Sequence, residues 1–208
     1  MTLSPTDPRA ALRHRNFRFY LSARFLSITS HQILAVAMSQ YIYELTHSPI
    51  HLGYIGLALF IPKIAFTLLA GHVADRYDRR LVILYSLILA ALAMLLLIVC
   101  VSLQMNPLWL LYVILFLIGT SGAFGGPASQ SIVPQLVPPV HFSNAVTWNA
   151  SVMQIAFIVG PALSGLLYAA SGSPLFVFAI IGALRLAAVG FIYIMKSPMI
   201  PPETSELS

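Results

Sequence analysis

The sequence predicts an all-α membrane protein whose chain crosses the bilayer six times. Three observations predict it. Of the 208 residues, 59% are hydrophobic and 8% charged, where a soluble domain carries about 45–50% and about 25%. From Leu81 to Leu184 there is no Asp, Glu, Lys or Arg, and about 20 apolar residues are enough for one helical crossing. Most of the remaining charges fall in short runs beside apolar stretches, the pattern of topology determinants. These features exclude soluble enzymes, nucleic-acid binders and disulfide-stapled secreted domains. So little charge cannot solvate a globule, and disordered chains are polar rather than apolar. The net charge of +5 is not spread as a broad phosphate-binding patch. The single Cys100 has no second cysteine to pair with and reads as a small buried hydrophobe.

The spans follow in order. Span one is Leu21–Tyr43, ended by a turn at Thr46–His51. The apolar segment after Arg18 is longer than a signal-peptide core and has no cleavage site, so it reads as an uncleaved span. Span two is Leu52–His72, ended by the charged run Asp75–Arg80. Span three is Leu81–Leu103, closed by Gln104, Asn106 and Pro107. Span four is Leu108–Gly125, with an end blurred toward Leu136 by Pro127 and Pro134. A loop at Pro138–Ser143 follows, with Ser143 or Asn144 as helix N-cap. Span five is Ala145–Ala169, the turn Ser171–Pro174 follows, and span six is Leu175–Met195.

Arg9, Arg13, Arg15 and Arg18 precede span one, Arg76, Arg79 and Arg80 follow span two, and Lys196 follows span six. The loops after spans one, three and five hold no Lys or Arg. The positive-inside rule then places both termini in the cytoplasm. The expected organisation is a cytoplasmic tail over 1–20, a six-helix bundle over 21–195 and a second cytoplasmic tail over 196–208.

The loop after span two reads Gly71-His72-Val73-Ala74-Asp75-Arg76-Tyr77-Asp78-Arg79-Arg80. Gly71 would allow close helix approach, the arginines would hold the loop at an anionic membrane face, and Asp75 would pair with Arg79 if the loop were helical. Span five carries Gly160-Pro161-Ala162-Leu163-Ser164-Gly165, and Ala123-Phe124 leads through Pro127-Ala128 to Pro134-Gln135-Leu136-Val137-Pro138. In these residues nearly the whole chain resembles the first half of a transporter of the major facilitator superfamily, in the secretion and drug-efflux branch that contains the enterobactin exporter. The resemblance implies a half bundle of two inverted three-helix repeats, set in a bacterial cytoplasmic membrane. It also implies a gating motif of Gly71, Asp75, Arg76, Arg79 and Arg80, in which the Asp and basic residues contact a second half. The segment with Gly160, Pro161 and Gly165 is similar to the antiporter motif of exporters. Three departures stand out. Asp78 replaces the usual Gly, span four lacks the Arg of many proton antiporters, and the chain has six spans rather than about twelve.

Ionisable groups at membrane depth are functional candidates by default. At about 1.5 Å per residue, Arg24, Lys63 and Arg185 lie roughly 10, 12 and 15 Å from the cytoplasmic span ends. No Asp or Glu lies at that depth, so the cations suit an anionic substrate or carboxylates from a second half. Snorkelling toward headgroups is the alternative. Arg24, Ser27 and His31 share one helical face, as do Asn144, Thr147, Ser151 and Gln154. These two stripes are the expected pathway walls, with interhelical hydrogen bonding as the alternative. His31 reads as neutral and hydrogen-bonded, and Glu44 as solvated. Gly119, Gly122 and Gly126 form a close-packing stripe, and Pro62 and Pro161 would kink spans two and five.

The expected function is secondary export of a small molecule by alternating access, without enzymatic activity, cofactor or metal. Its partners are lipid, a small-molecule substrate and a second six-helix half supplied by another copy, another chain or a longer gene. Nucleic acid is not among them. One competing class is a truncated or non-transporting membrane module. Another is an intramembrane serine protease built on Gly119-Thr120-Ser121-Gly122, for which span six offers no histidine as base.

Overall fold

A computed structural model describes residues 8–105 and 107–196. Asn106, the first seven residues and the tail 197–208 lie outside the described residues. The long elements are α1 (Arg15–Thr46), α2 (Ile50–Arg76), α3 (Arg79–Ser102), α4 (Leu108–Ser131), α6 (Phe142–Ser171) and α7 (Pro174–Ile194). A short α5 (Val133–Leu136) and 3-10 turns at Ala11–Arg13 and Pro139–His141 complete the set. Helices dominate because a bilayer offers no partner for free backbone N–H and C=O groups.

Five of these segments, in α2, α3, α4, α6 and α7, are long and apolar enough to cross a membrane. With 32 residues, α1 is about 48 Å long but more polar, carrying Arg15, Arg18, Arg24, His31 and Gln32. It is nevertheless central, since both α6 and α7 pack along it. The other close pairs are α2 with α4, and α3 with α4 and α7. The resulting order is α2–α4–α3–α7–α1–α6, and α2 and α6 stand at its two ends without substantial packing on each other.

Local chemistry sets the element ends. His47 and Gly172 take left-handed backbone after α1 and α6, and their N–H groups donate to the carbonyls of Tyr43 and Tyr168. Asp78 caps α3, its side chain accepting from the Arg80 backbone N–H at 2.8 Å. The residue that departs from the family pattern therefore begins α3, after Tyr77 has ended α2. This break corrects the expected Asp75–Arg79 pair. Asp75 is in the last turn of α2, Arg79 opens α3, and extended backbone at Tyr77 separates them.

Other expectations also need correction. α4 continues through Pro127 to Ser131. α6 begins at Phe142 without a side-chain cap. Instead, Asn144 accepts from the Ala11 backbone N–H and donates to the Pro8 carbonyl. Glu44 is more than solvated, because it accepts from Gln40 and from the Tyr168 hydroxyl. Gly71 and Gly126 have no atom within 4 Å of an added Cβ, so neither is a close-approach site. Gly119 is one, since its Cβ would stand 2.7 Å from the Leu59 carbonyl oxygen.

The interior is layered. One apolar cluster lies at the end that carries both described termini, with Phe17, Tyr20, Ile83, Ile132, Leu136 and Ile192. A second lies at the far end, with Ile33, Met38, Leu97, Leu115, Phe178 and Ile181. On α1 the first cluster stops by Leu26 and the second starts at Ile33. On α7 they stop and start at Ala188 and Ile181. On α1, Ser27, Thr29, Ser30, His31 and Gln32 occupy the belt between.

Candidate functional site

The belt is built helix by helix. α1 contributes Ser27, Thr29, Ser30, His31 and Gln32 to it, with Arg24 just below. Tyr20, one turn below Arg24, is buried and donates its hydroxyl to the Ser129 carbonyl at 2.6 Å. Arg24 and Ser27 line a small cavity of about 50 Å³ between α1, α3, α4 and α7. The Arg24 Nε is buried there without a hydrogen-bond partner. His31 lies one turn beyond Ser27 on the same helix and is half-buried. The structure thus brings Arg24 and Ser27 to one cavity, while Arg185 is buried on α7 with its Nε unpartnered.

Lys63 is exposed on α2. Its stem runs over α4, where a Cβ on Gly122 would stand 3.5 Å from Lys63 Cε. Just above, the buried Pro62 and Gly119 bring α2 and α4 together. On α6, Thr147, Ser151 and Gln154 are exposed. Thr147 and Ser151 turn their hydroxyls back onto the carbonyls of Ser143 and Thr147, which is common for Ser and Thr within helices. Asn144, predicted on the same stripe, is diverted to hold the segment before α1. The two stripes therefore sit on the two helices that end the bundle order and bury least.

The Gly160–Gly165 segment joins α6 to α1. A Cβ on Gly160 would overlap Gln32 Cβ and come within 3.3 Å of the Thr29 carbonyl oxygen. Ser164, fully buried, donates to the Ile33 carbonyl at 3.0 Å. Pro161 is half-buried, and Gly165 is exposed with open space around it.

In the loop between α2 and α3, Asp75 and Arg76 are exposed and Arg79 and Arg80 are half-buried. Arg79 donates from Nη1 to the Ser131 carbonyl at 2.9 Å, at the end of α4. Arg80 donates from Nε to the Ile192 carbonyl at 3.2 Å and from Nη2 to the Tyr193 carbonyl at 2.7 Å, in the last turn of α7. Final-turn carbonyls lack intrahelical donors and favour cations. The basic pair therefore ties three helices together, a role that the sequence spacing did not reveal. Ser121, the residue of the protease reading, is buried and donates to the Ile118 carbonyl.

At the same end, a short strap precedes α1. Ala10 and Ala11 are buried, Trp148 donates to the Pro8 carbonyl at 2.8 Å, and the His14 and His141 rings lie 5.7 Å apart. Burial first, and the neighbouring His141 second, hold the His14 imidazole below its ordinary value of 6.5. A depressed histidine favours the packed state fully above that ordinary value, and the benefit fades as pH falls through the lowered one. Hydrogen exchange at Arg9–Arg13, corrected for intrinsic rates, should therefore quicken as pH drops below about 6.5. His14→Asn should flatten that dependence, and an equally pH-dependent strap in the variant would refute the assignment.

Residues 20–207 match the Major Facilitator Superfamily. The macrolide efflux protein A of Streptococcus pyogenes is 31% identical over 154 residues, which is 73% of this chain and 38% of that protein. The staphyloferrin A transporter of Staphylococcus aureus is 24% identical over 161 residues, covering 76% and 40%. The enterobactin exporter of Salmonella typhimurium is 29% identical over 163 residues, covering 76% and 38%. The chain thus matches about two fifths of the length of these relatives. Apolar membrane-length helices, the Gly71–Arg80 motif and a match over nearly the whole sequence lead to one conclusion: this integral membrane protein belongs to the major facilitator superfamily of transporters.

Proposed function

We propose that the chain forms a six-span half of a secondary exporter that works by alternating access, with α1 as the sixth crossing and both termini in the cytoplasm of a bacterium. The bundle occupies 21–195, between tails at 1–20 and 196–208. Arg24, Ser27, His31 and Lys63 form one wall of the pathway, and Thr147, Ser151 and Gln154 form another. Gly71, Asp75, Arg76, Arg79 and Arg80 are the gate, and Gly160, Pro161 and Gly165 the bend in α6. The observation that carries this reading is the position of Lys63, Thr147, Ser151 and Gln154. They are exposed polar residues on α2 and α6, Lys63 in the middle of its helix and the other three in the first half of theirs. Exposed polar groups within a span are costly in lipid, whereas beside a second bundle they would line a passage. The large apolar residues on the same helices, Leu57, Phe60 and Leu68 on α2 and Ile155 and Ile158 on α6, are exposed too and would pack on that bundle. It would come from a second copy, a separate chain or a longer gene. The cations within the spans favour an acidic cargo, so a siderophore suits them better than a macrolide.

Uptake into inside-out proteoliposomes tests the pathway. Lys63→Ala should cut the rate at least about tenfold if one charge-assisted contact to the cargo is lost. An unchanged rate would sink the role of Lys63. Failure of the 208-residue chain alone, with recovery on adding a second bundle, would identify a half-transporter. Failure with every added bundle would favour a non-transporting module.

A further inference from the structure

At the end that carries both described termini, α6 and α7 pack along α1 but little on each other. A groove of about 490 Å³ opens between them, with α1 as its floor. Leu21, Phe25 and Leu26 of α1, Val152 of α6 and Phe191 of α7 give it apolar walls. Arg18, which is exposed, stands at its terminal end. From Arg18 to Leu26 the groove runs about 12 Å along α1, most of the roughly 15 Å depth of one leaflet of a bilayer core.

A second cavity, of about 320 Å³, begins one turn beyond the first on both helices. Arg15 follows Arg18 on α1, and Ile194 follows Phe191 on α7. His14, Asn16 and Lys196 complete its polar lining. Asn16 donates from Nδ2 to the Lys196 carbonyl at 3.1 Å, which holds Lys196 against the first turn of α1. The Phe19 and Phe191 rings, 6.1 Å apart, lie at the junction of the two cavities, and the Arg15 guanidinium sits 5.2 Å from the centre of the Phe19 ring. An apolar groove thus leads directly into a pocket lined by exposed cations. Among the described residues, none with a carboxylate lines either cavity. Topology requires positive charge at one end of the spans, but it does not require an apolar groove leading away from that charge.

We propose that this surface binds one anionic glycerophospholipid, with its phosphate held by Arg15, Arg18 and Lys196 and an acyl chain laid in the groove. Arginine forks match phosphate oxygens, and the lysine adds a point charge. Basic pockets between membrane helices select acidic headgroups in this way. A neutral lipid would fill the groove and gain little from the cations, and a free phosphate would meet the cations and gain nothing from the groove. The site goes beyond the proposed pathway. It uses none of the pathway residues and requires neither transport nor a second bundle.

The test uses the purified 208-residue chain in a neutral detergent. Dioleoylphosphatidylglycerol, dioleoylphosphatidylcholine and glycerol phosphate are titrated separately, and bound molecules are counted by native mass spectrometry. The expected result is saturation by one phosphatidylglycerol, at least about tenfold tighter than phosphatidylcholine, with no binding of glycerol phosphate in the same range. Arg15→Gln with Arg18→Gln should erase the preference between the lipids. Val152→Trp, which fills the groove, should weaken phosphatidylglycerol at least about tenfold. Arg76→Gln, which removes an exposed cation at the same end but outside both cavities, should leave the preference intact. Equal affinity for the two lipids overturns the proposal, as does an unaltered preference in the double variant. An equal loss in Arg76→Gln would show general charge attraction and overturns it too. Glycerol phosphate bound as tightly as the lipid would reveal a site for free phosphate and overturn the lipid assignment. If the double variant does not fold, Lys196→Gln and Val152→Trp decide, and unaltered affinity in both overturns the proposal. Loss of transport with lipid binding intact would count against the pathway and not against this site.

Discussion

Replacing Gly119 with alanine is expected to destabilise the detergent-solubilised chain by about 1–3 kcal/mol, the usual range for an overpacked core. The same change at Gly126 is expected to be neutral or to stabilise by up to about 1 kcal/mol, the helix-propensity gain of alanine. The two glycines lie on the same helix, and their difference is steric. At Gly119 the new Cβ meets the Leu59 carbonyl oxygen at 2.7 Å and Pro62 Cγ at 3.0 Å. Neither group can rotate away, because one is backbone and the other is a proline ring. α2 would have to back off from α4, which is its main contact with the bundle. At Gly126 nothing lies within 4 Å. Gly160→Ala should behave like Gly119→Ala, because its Cβ would overlap Gln32 Cβ and force α6 away from α1. Thermal melting of the three variants is the measurement. Equal melting for Gly119→Ala and Gly126→Ala would show that α2 is not held by the approach at Gly119.

How far the sequence foretold this arrangement depends on the reach of each signal. Most helix ends were readable within about four residues, because His47 and Gly172 are local breaks and apolar runs are contiguous, whereas the start of α1 at Arg15 and the end of α4 at Ser131 each lie six residues beyond the expected span. The Arg24-Ser27-His31 stripe was readable because period alone places residues on one helix face. Partners distant in the chain were not readable. Arg80 donates to carbonyls 112 and 113 residues away, and hydropathy does not encode that contact. Asp78 was visible as a departure from the family pattern, yet its capping of α3 depends on where α2 stops. The glycine stripe of α4 was right in kind and wrong in extent, because period cannot say which glycine has a neighbour. Arg185 was placed at depth, but its burial was not readable, since that depends on the packing of α7 along α1.

The arginine pair of the loop should separate stability from function. Arg79→Gln with Arg80→Gln removes three donor contacts to helix-terminal carbonyls. Hydrogen bonds from charged groups contribute about 1.5–3 kcal/mol when buried, and less where solvent competes, as at Tyr193. A combined loss of about 2–4 kcal/mol in unfolding free energy follows, read as a lower melting temperature. Asp75→Asn should change stability by less than about 0.5 kcal/mol, because Asp75 is exposed and bonds to neither arginine. If Asp75 gates by contacting a second bundle, as proposed, its variant should alter transport by the assembled exporter while the isolated chain melts normally. A motif that only fixed topology through its charges would predict the opposite for the arginines, since topology is set at insertion and needs no bond to Ser131 or Ile192. Unchanged melting in the double variant would therefore refute the helix-tying role. A comparable loss from Asp75→Asn would mean that the aspartate also acts within this bundle, which would remove the reason to assign it to the gate.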